Sequence, residues 1–82
     1  EKKLKFTYAE QRDWETIEAD IAKLEEELEE LDRQIGEAAS SYSRLSGLMA
    51  QKAETERLLE ERMERWMYLE DLAQRIEEQK KS

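Results

Sequence analysis

Residues 36–47 read GEAASSYSRLSG, a run of small and polar residues in a chain that otherwise has the composition of long helices. Gly36 is unfavourable inside a helix, and Ser40 or Ser41 is a suitable N-cap for a second helix that begins directly afterwards. The segment therefore predicts a break between two helices. The fold depends on whether the chain reverses direction at this break.

Before the break, apolar residues recur at alternating intervals of three and four positions. They are Trp14, Ile17, Ile21, Leu24, Leu28, Leu31 and Ile35. This alternation is the a/d pattern of a coiled coil, in which both positions face a partner helix. Thr7 and Glu10 have the spacing of a capping box, which predicts that the first helix begins just after Thr7.

After the break, a second and less regular apolar series follows. It consists of Leu45, Leu48, Leu59, Met63, Trp66, Leu69, Ala73 and Ile76, with polar residues in its middle part. If the chain folds back near residue 41, residues whose numbers sum to about 83 face each other. We expect the weakest packing where Lys52 and Thr55 oppose Leu31 and Leu28.

A single helix of about 70 residues in a parallel dimer is the alternative. It would bury three charged residues, Lys52, Glu56 and Glu70. It would also expose three large apolar residues, Leu48, Leu69 and Ile76. Both changes are unfavourable. The sequence therefore predicts an all-α fold, an antiparallel two-helix coiled-coil hairpin. It would be one domain over residues 1–82, with helix 1 at about 8–38, the tip at about 39–41 and helix 2 at about 42–78. We expect a monomer.

The composition excludes several classes of function. Charged residues make up 44% of the 82 residues, the net charge is −8, and Cys and His are absent. Thiolate and imidazole metal sites are therefore impossible, and the lack of Cys suits a reducing cytoplasm. No apolar run approaches the roughly 20 residues that cross a bilayer. We expect a cytoplasmic, non-catalytic chain with no cofactor and no membrane partner.

The positive charge is concentrated at the two chain ends. Residues 1–12 have a net charge of +2 and residues 75–82 of +1, whereas residues 13–74 have a net charge of −11. A hairpin brings both ends together, so the sequence predicts a basic pole on an acidic rod. The candidate phosphate-binding residues are Lys2, Lys3, Lys5, Arg12, Arg75, Lys80 and Lys81. So few cations would bind nucleic acid weakly and in a salt-sensitive way.

Five of the six aromatic residues lie near the predicted open end of the hairpin. Trp14 and Trp66 fall on positions that face the partner helix, so we interpret them as packing residues and not as a platform for stacked bases. Together with Tyr68, Thr7 and Glu10 they form the predicted structural base of the hairpin.

The stretches LKFTYAEQRDWE (4–15) and ERWMYLEDL (64–72) resemble the two ends of the C-terminal domain of ABC-F family ATPases of the Uup type. Those domains open with a Leu-Ser-Tyr-Lys-Glu-Gln-Arg-Glu-like segment and close with Arg-Trp-Glu-Tyr-Leu-Glu. Met67 replaces the usual acidic residue of the closing segment. The resemblance spans nearly the whole chain, but its middle is generic coiled coil.

The resemblance implies a C-terminal fragment of a larger ATPase, which would bind ATP and Mg²⁺ in other domains. This chain has no phosphate-binding loop of its own. The family is linked to translation, the ribosome and DNA, so the resemblance implies a module that binds DNA or ribosomal RNA beside its own ATPase domains. The alternative is a coiled coil that joins partner proteins or regulates those domains. A tRNA-binding arm of a synthetase fits less well, because the middle of the chain is acidic.

Overall fold

The computed structural model describes residues 3–81 and contains two helices, α1 (Tyr8–Glu37) and α2 (Tyr42–Lys81). They pack against each other as an antiparallel hairpin that measures 63 × 16 × 15 Å. The predicted fold class is thereby confirmed. Helix α2 extends beyond the expected end near residue 78, because residues 3–7 lie beside its last turns and give them a packing partner. Lys2 lies outside the described residues.

The first helix begins with the expected capping box. The backbone N–H of Glu10 donates to Thr7 Oγ1 at 3.2 Å, and the backbone N–H of Thr7 donates to Glu10 Oε1 at 2.8 Å. These two bonds satisfy amide groups that have no partner within the helix. The capping box therefore sets the first residue of α1.

The reversal of the chain takes place at residues 38–41. The backbone N–H of Ala38 donates to the carbonyl oxygens of Gln34 and Ile35 at 2.9 and 3.2 Å, and this residue is only 1% exposed. The N–H of Ser41 then donates to the carbonyl of Ala38, and the Ser41 carbonyl accepts the first hydrogen bond of α2, from Leu45. Ser41 therefore occupies the N-cap position that the sequence left open between Ser40 and Ser41.

All seven predicted core residues of α1 face α2. Ile17 is fully buried and the other six are half-buried. On α2 the corresponding series has no break in its spacing. It consists of Leu45, Leu48, Lys52, Thr55, Leu59, Arg62, Trp66, Leu69, Ala73 and Ile76, each of them half-buried or buried.

The prediction that Met63 is a core residue of α2 is wrong. Met63 is 45% exposed, and Arg62 occupies the core position instead. Strict alternation of three and four positions after Leu59 reaches residue 62 and then Trp66. The long side chain of Arg62 can cover apolar surface with its methylene groups while its guanidinium reaches Asp20, with N···O at 3.8 Å. The register of α2 therefore places Arg62 in the core position, although Met63 is the more apolar residue.

Polar residues in the middle of α2 are accommodated by the opposite helix. Thr55 is buried at 9% exposure, and the Nζ of Lys52 lies 2.7 Å from Asp32 Oδ1. The hydrogen bond to Asp32 raises the pKa of Lys52. Glu56, which a single long helix in a parallel dimer would bury, is exposed.

We predict that the middle of the hairpin opens more readily than its base. Both fully buried large side chains, Ile17 and Leu69, lie toward the base, whereas Lys52 and Thr55 interrupt the apolar contacts of the middle. Local opening requires less free energy where fewer apolar contacts are lost. Amide hydrogen exchange should therefore be faster around residues 28–31 and 52–55 than around 14–17 and 66–69. Equal or reversed protection would contradict this.

We also predict that Gly47→Ala stabilises the hairpin. Apart from its two chain neighbours and the backbone of its own helical turns, no atom lies within 4 Å of a Cβ placed on Gly47, and its φ is not positive. Alanine is favoured over glycine inside a helix by about 1 kcal/mol, which raises the melting temperature of a domain of this size by about 4–8 °C. Gly36→Ala, one residue before the end of α1, should have a smaller effect. A lower melting temperature for Gly47→Ala would refute the prediction.

Candidate functional site at the open end of the hairpin

The open end of the hairpin consists of residues 3–10 and 73–81. Here the extended segment 3–7 runs alongside the last turns of α2. The backbone N–H of Leu4 donates to Gln79 Oε1 at 2.9 Å, and Gln79 Nε2 donates back to the carbonyl oxygen of Leu4. One side-chain amide therefore satisfies both backbone groups of Leu4 and joins residues 75 positions apart in the chain.

An apolar groove lies between this segment and the two helices. Leu4, Phe6, Trp14, Ala73 and Ile76 line it. The rings of Phe6 and Trp14 are tilted by 31° with their centroids 5.8 Å apart, a separation typical of packed aromatic pairs. Trp14 is half-buried between the ends of the two helices, as expected for a residue that packs the base.

The structure gathers only part of the predicted basic set around this groove. Lys3, Lys5 and Lys80 line it together with Glu77, and Lys81 is exposed in the last turn of α2. The predicted basic pole is therefore present as a small cluster of lysines at the rim of an apolar groove.

The two predicted arginines are engaged elsewhere. The guanidinium of Arg12 lies over the ring of Tyr8, 5.9 Å from its centroid, and Tyr8 is 78% exposed. Arg75 forms an ion pair with Asp71 one turn earlier on the same helix, with N···O at 3.1 Å. Neither arginine lines the groove at the open end.

A polar network next to the capping box joins the two helices. The hydroxyl of Tyr68 donates to Glu10 Oε2 at 2.6 Å, and Arg65 Nε donates to Asp13 Oδ2 at 3.0 Å. The guanidinium of Arg65 also lies 5.3 Å from the centroid of the Tyr68 ring, within the range of a cation–π contact. We call Glu10, Asp13, Arg65 and Tyr68 the cross-helix network.

Glu10 connects this network to the start of α1, since one of its oxygens accepts from Thr7 and the other from Tyr68. The hydrogen bonds from the Thr7 backbone and the Tyr68 hydroxyl lower the pKa of Glu10 below its ordinary value of 4.5. The hydrogen bond between the Tyr68 hydroxyl and Glu10 also raises the pKa of the Tyr68 phenol. The hydrogen bond therefore stabilises Glu10 in its ionised form and Tyr68 in its neutral form.

Sequence reasoning placed Thr7, Glu10, Trp14, Trp66 and Tyr68 at the base and paired Thr7 with Glu10, but it did not identify the hydrogen bonds and ion pairs that join the two helices there. The contacts between Asp13 and Arg65 and between Leu4 and Gln79 were missed, because nothing in the local sequence indicates which polar residues meet across the hairpin. The spacing rule for facing residues could have suggested Leu4 and Gln79, whose numbers satisfy it.

The described residues also bear on two other classes of site. Within residues 3–81, no group of three His, Cys, Asp or Glu side chains is arranged to hold a metal ion. In the same part of the chain, neither helix combines the length and the apolar character needed to span a membrane.

We predict that Tyr68→Phe lowers the melting temperature at neutral pH, because Glu10 loses its cross-helix donor. The folded-state pKa of Glu10 lies below its ordinary 4.5, so this stabilisation is complete above about pH 4.5 and is lost as the pH falls through the lowered pKa. The difference between wild type and Tyr68→Phe should therefore shrink in acid. Tyr42→Phe is the matched control, since Tyr42 is 85% exposed at the tip. Equal effects of the two variants would contradict the prediction.

The chain has relatives among known proteins. Residues 5–71 match the family model described as the ABC transporter C-terminal domain. The chain is 38% identical over 76 residues to an uncharacterized ABC transporter ATP-binding protein, YfmR, of Bacillus subtilis (strain 168); this alignment covers 93% of the chain and 12% of that protein. No solved structure matches the chain.

These matches confirm the family that the resemblance implied, the C-terminal domain of ABC-F type proteins. The matched range includes the capping box and the whole cross-helix network. The family likeness therefore includes residues that join the two helices at the open end. On the match over residues 5–71 and the 38% identity, the chain belongs to the ABC transporter C-terminal domain family.

Proposed function

We propose that this hairpin is a non-catalytic module that contacts the phosphate backbone of DNA or ribosomal RNA through its open end. The ATP-binding protein that carries it would bind ATP and Mg²⁺ in separate cassettes in the cytoplasm. The observation that supports this most directly is the group of exposed lysines at one end of an otherwise acidic rod. These are Lys3, Lys5, Lys80 and Lys81.

The lysines of the open end differ from most other cations of the chain in having no carboxylate partner. Within residues 3–81, no carboxylate oxygen lies within 4.0 Å of their amino groups. Six other cations form ion pairs, namely Arg33, Lys52, Arg57, Arg62, Arg65 and Arg75. The open end therefore offers positive charge that is not already neutralised by the protein.

Four lysines limit how tightly such a module can bind. Each phosphate neutralised on duplex DNA contributes about −0.9 to the slope of log Kobs against log salt, so these four lysines account for a slope of at most about −4, to which Lys2 could add about −0.9. The net charge of −11 on residues 13–74 repels phosphate along the rest of the rod. Binding should therefore be weak, end-on and strongly dependent on salt.

The test is a salt titration with a duplex DNA and, in parallel, with a ribosomal RNA fragment. We expect Lys5→Gln combined with Lys80→Gln to reduce the salt slope by about 2 and to weaken binding at low salt by about tenfold or more. Lys23→Gln combined with Arg44→Gln is the matched control. It removes the same charge from two exposed cations that also lack ion pairs but lie away from the open end.

Two results would overturn the proposal. One is equal loss of affinity in the open-end variant and its control, which would mean that only net charge matters. The other is tight binding that does not change between about 50 and 300 mM salt.

The second candidate is a coiled coil that joins partner proteins or regulates the attached ATPase domains without contacting nucleic acid. The observation that favours it is the acidic character of the rod, together with Glu77, which lines the open-end groove beside the lysines. Under this alternative, the open-end variant would leave association with nucleic acid unchanged in the full-length protein. Removal of the whole hairpin would instead release a protein partner or change the ATPase rate.

A further inference from the structure

In the half of the hairpin nearer the open end, the two surfaces along which α1 and α2 meet differ in whether their charged side chains form ion pairs. On one side, Asp13 and Asp20 of α1 pair with Arg65 and Arg62 of α2. On the other side, Ile21, Ala22, Met63 and Trp66 form an apolar groove bordered by Glu18 and Glu25. We call this second surface the methionine groove. Nearer the tip, Asp32, which lies on the same side of α1 as Glu18 and Glu25, pairs with Lys52.

The border of the methionine groove carries uncompensated negative charge. No lysine or arginine lines it, and Glu18 and Glu25 have no ion pair within residues 3–81. Glu60 and Glu70 lie three residues before and seven residues after Met63, and so on the same side of α2. Lys23, the cation of α1 nearest in sequence to the groove residues, points about 160° away from Ile21 around the helix.

Two exposed methionines lie here: Met63 lines the groove, and Met67 lies one turn beyond Met63 on α2, outside the lining. Met63 is 45% exposed and Met67 is 64% exposed. Methionine side chains are flexible and polarisable, so they adapt to different apolar partners and are frequent on surfaces that bind helices. The hairpin does not need these side chains for its own packing, because the core position between Leu59 and Trp66 is taken by Arg62.

We propose that the methionine groove binds an amphipathic helix of a partner protein whose apolar stripe is flanked by lysines and arginines. The apolar floor would receive the stripe, and the glutamates on both sides would pair with the flanking cations. A second copy of this chain is disfavoured as the occupant, because two chains of net charge −8 would bring glutamate-lined borders together. This inference does not depend on the proposed nucleic-acid binding, which uses the lysines of the open end and therefore a different surface.

The test uses a synthetic helix of about 18 residues with leucines at i, i+3, i+4 and i+7 and lysines elsewhere. Methyl NMR of the 82-residue chain should show shifts on titration at Met63, which lines the groove, and at Met67, one turn away. It should show none at Met49, which is 56% exposed but lies 14 residues before Met63 on α2. A peptide with glutamates in place of the lysines should not bind. Calorimetry on the same samples gives the dissociation constants.

Two pairs of variants separate the apolar and the charged contributions. Met63→Glu should weaken binding of the Leu/Lys helix by about tenfold or more, whereas Met49→Glu should not. Glu18→Gln combined with Glu25→Gln should weaken it several-fold and reduce its salt dependence. Glu26→Gln combined with Glu64→Gln, an equal change of charge outside the groove, should have little effect. Met67→Glu serves as a second apolar variant if Met63→Glu reduces the helix content.

Several outcomes would overturn the proposal. Shifts spread over Met49 as well as Met63, or equal effects within each pair of variants, would indicate non-specific attraction to an acidic rod. Self-association that Met63→Glu abolishes would make a second copy the occupant. Binding to the 82-residue chain but not to the full-length ATP-binding protein would mean that the protein's own domains cover the groove.

Discussion

The packing of α1 against α2 along one line of heptad positions is the constraint on which everything else in this molecule depends. Two helices cannot form a layered core, so each one has only the other to remove its apolar side chains from water. Ile17 and Leu69 are the only large side chains within residues 3–81 that are buried completely. The remaining core residues are half-buried, which leaves little excess stability and gives weight to each contact at the ends of the rod.

The base of the hairpin is reinforced by several kinds of interaction at once. The capping box, the hydrogen bond from Tyr68 to Glu10, the ion pair between Arg65 and Asp13 and the packed, tilted rings of Phe6 and Trp14 all lie within a few turns of one another. At the tip, by contrast, the chain turns through alanine and serine with hydrogen bonds between backbone groups and with the buried side chain of Ala38. The stabilising contacts are therefore concentrated at the same end of the hairpin as the proposed binding residues.

The charges of the rod are also arranged by the pairing of the helices. Aspartates on one side of α1 meet arginines of α2, the lysines of the open end have no carboxylate partner within residues 3–81, and glutamates border the methionine groove. The half of the hairpin nearer the open end thus presents a basic end, a side with ion pairs between the helices and an acidic side with an apolar floor, whereas nearer the tip Asp32 of that acidic side pairs with Lys52. Because the charges are distributed in this way, the two proposed contacts, with a phosphate backbone and with a basic helix, use different surfaces of a chain whose net charge is −8.

Most of the fold could be predicted from the sequence, because local signals determine it. The alternation of three and four apolar positions, the spacing of Thr7 and Glu10 and the small polar run at 36–47 each act over a few residues, and they predicted two helices, the start of α1 and the reversal. The family likeness could be read from the sequence for a similar reason, since it rests on two short motifs. The candidate lysines were also visible as a local excess of charge.

The tertiary structure decided what depends on contacts between residues far apart in the chain. The register of α2 placed Arg62 and not Met63 in the core, because the intervals from Thr55 through Trp66 must stay in step with α1. The exposure of Met63, and with it the methionine groove, follows from that register. Likewise, only pairing across 52 to 75 residues brings Arg65 to Asp13, Tyr68 to Glu10 and Gln79 to Leu4. Hydrogen bonds of this kind depend on the distance and angle between two helices, and no short stretch of sequence contains that information.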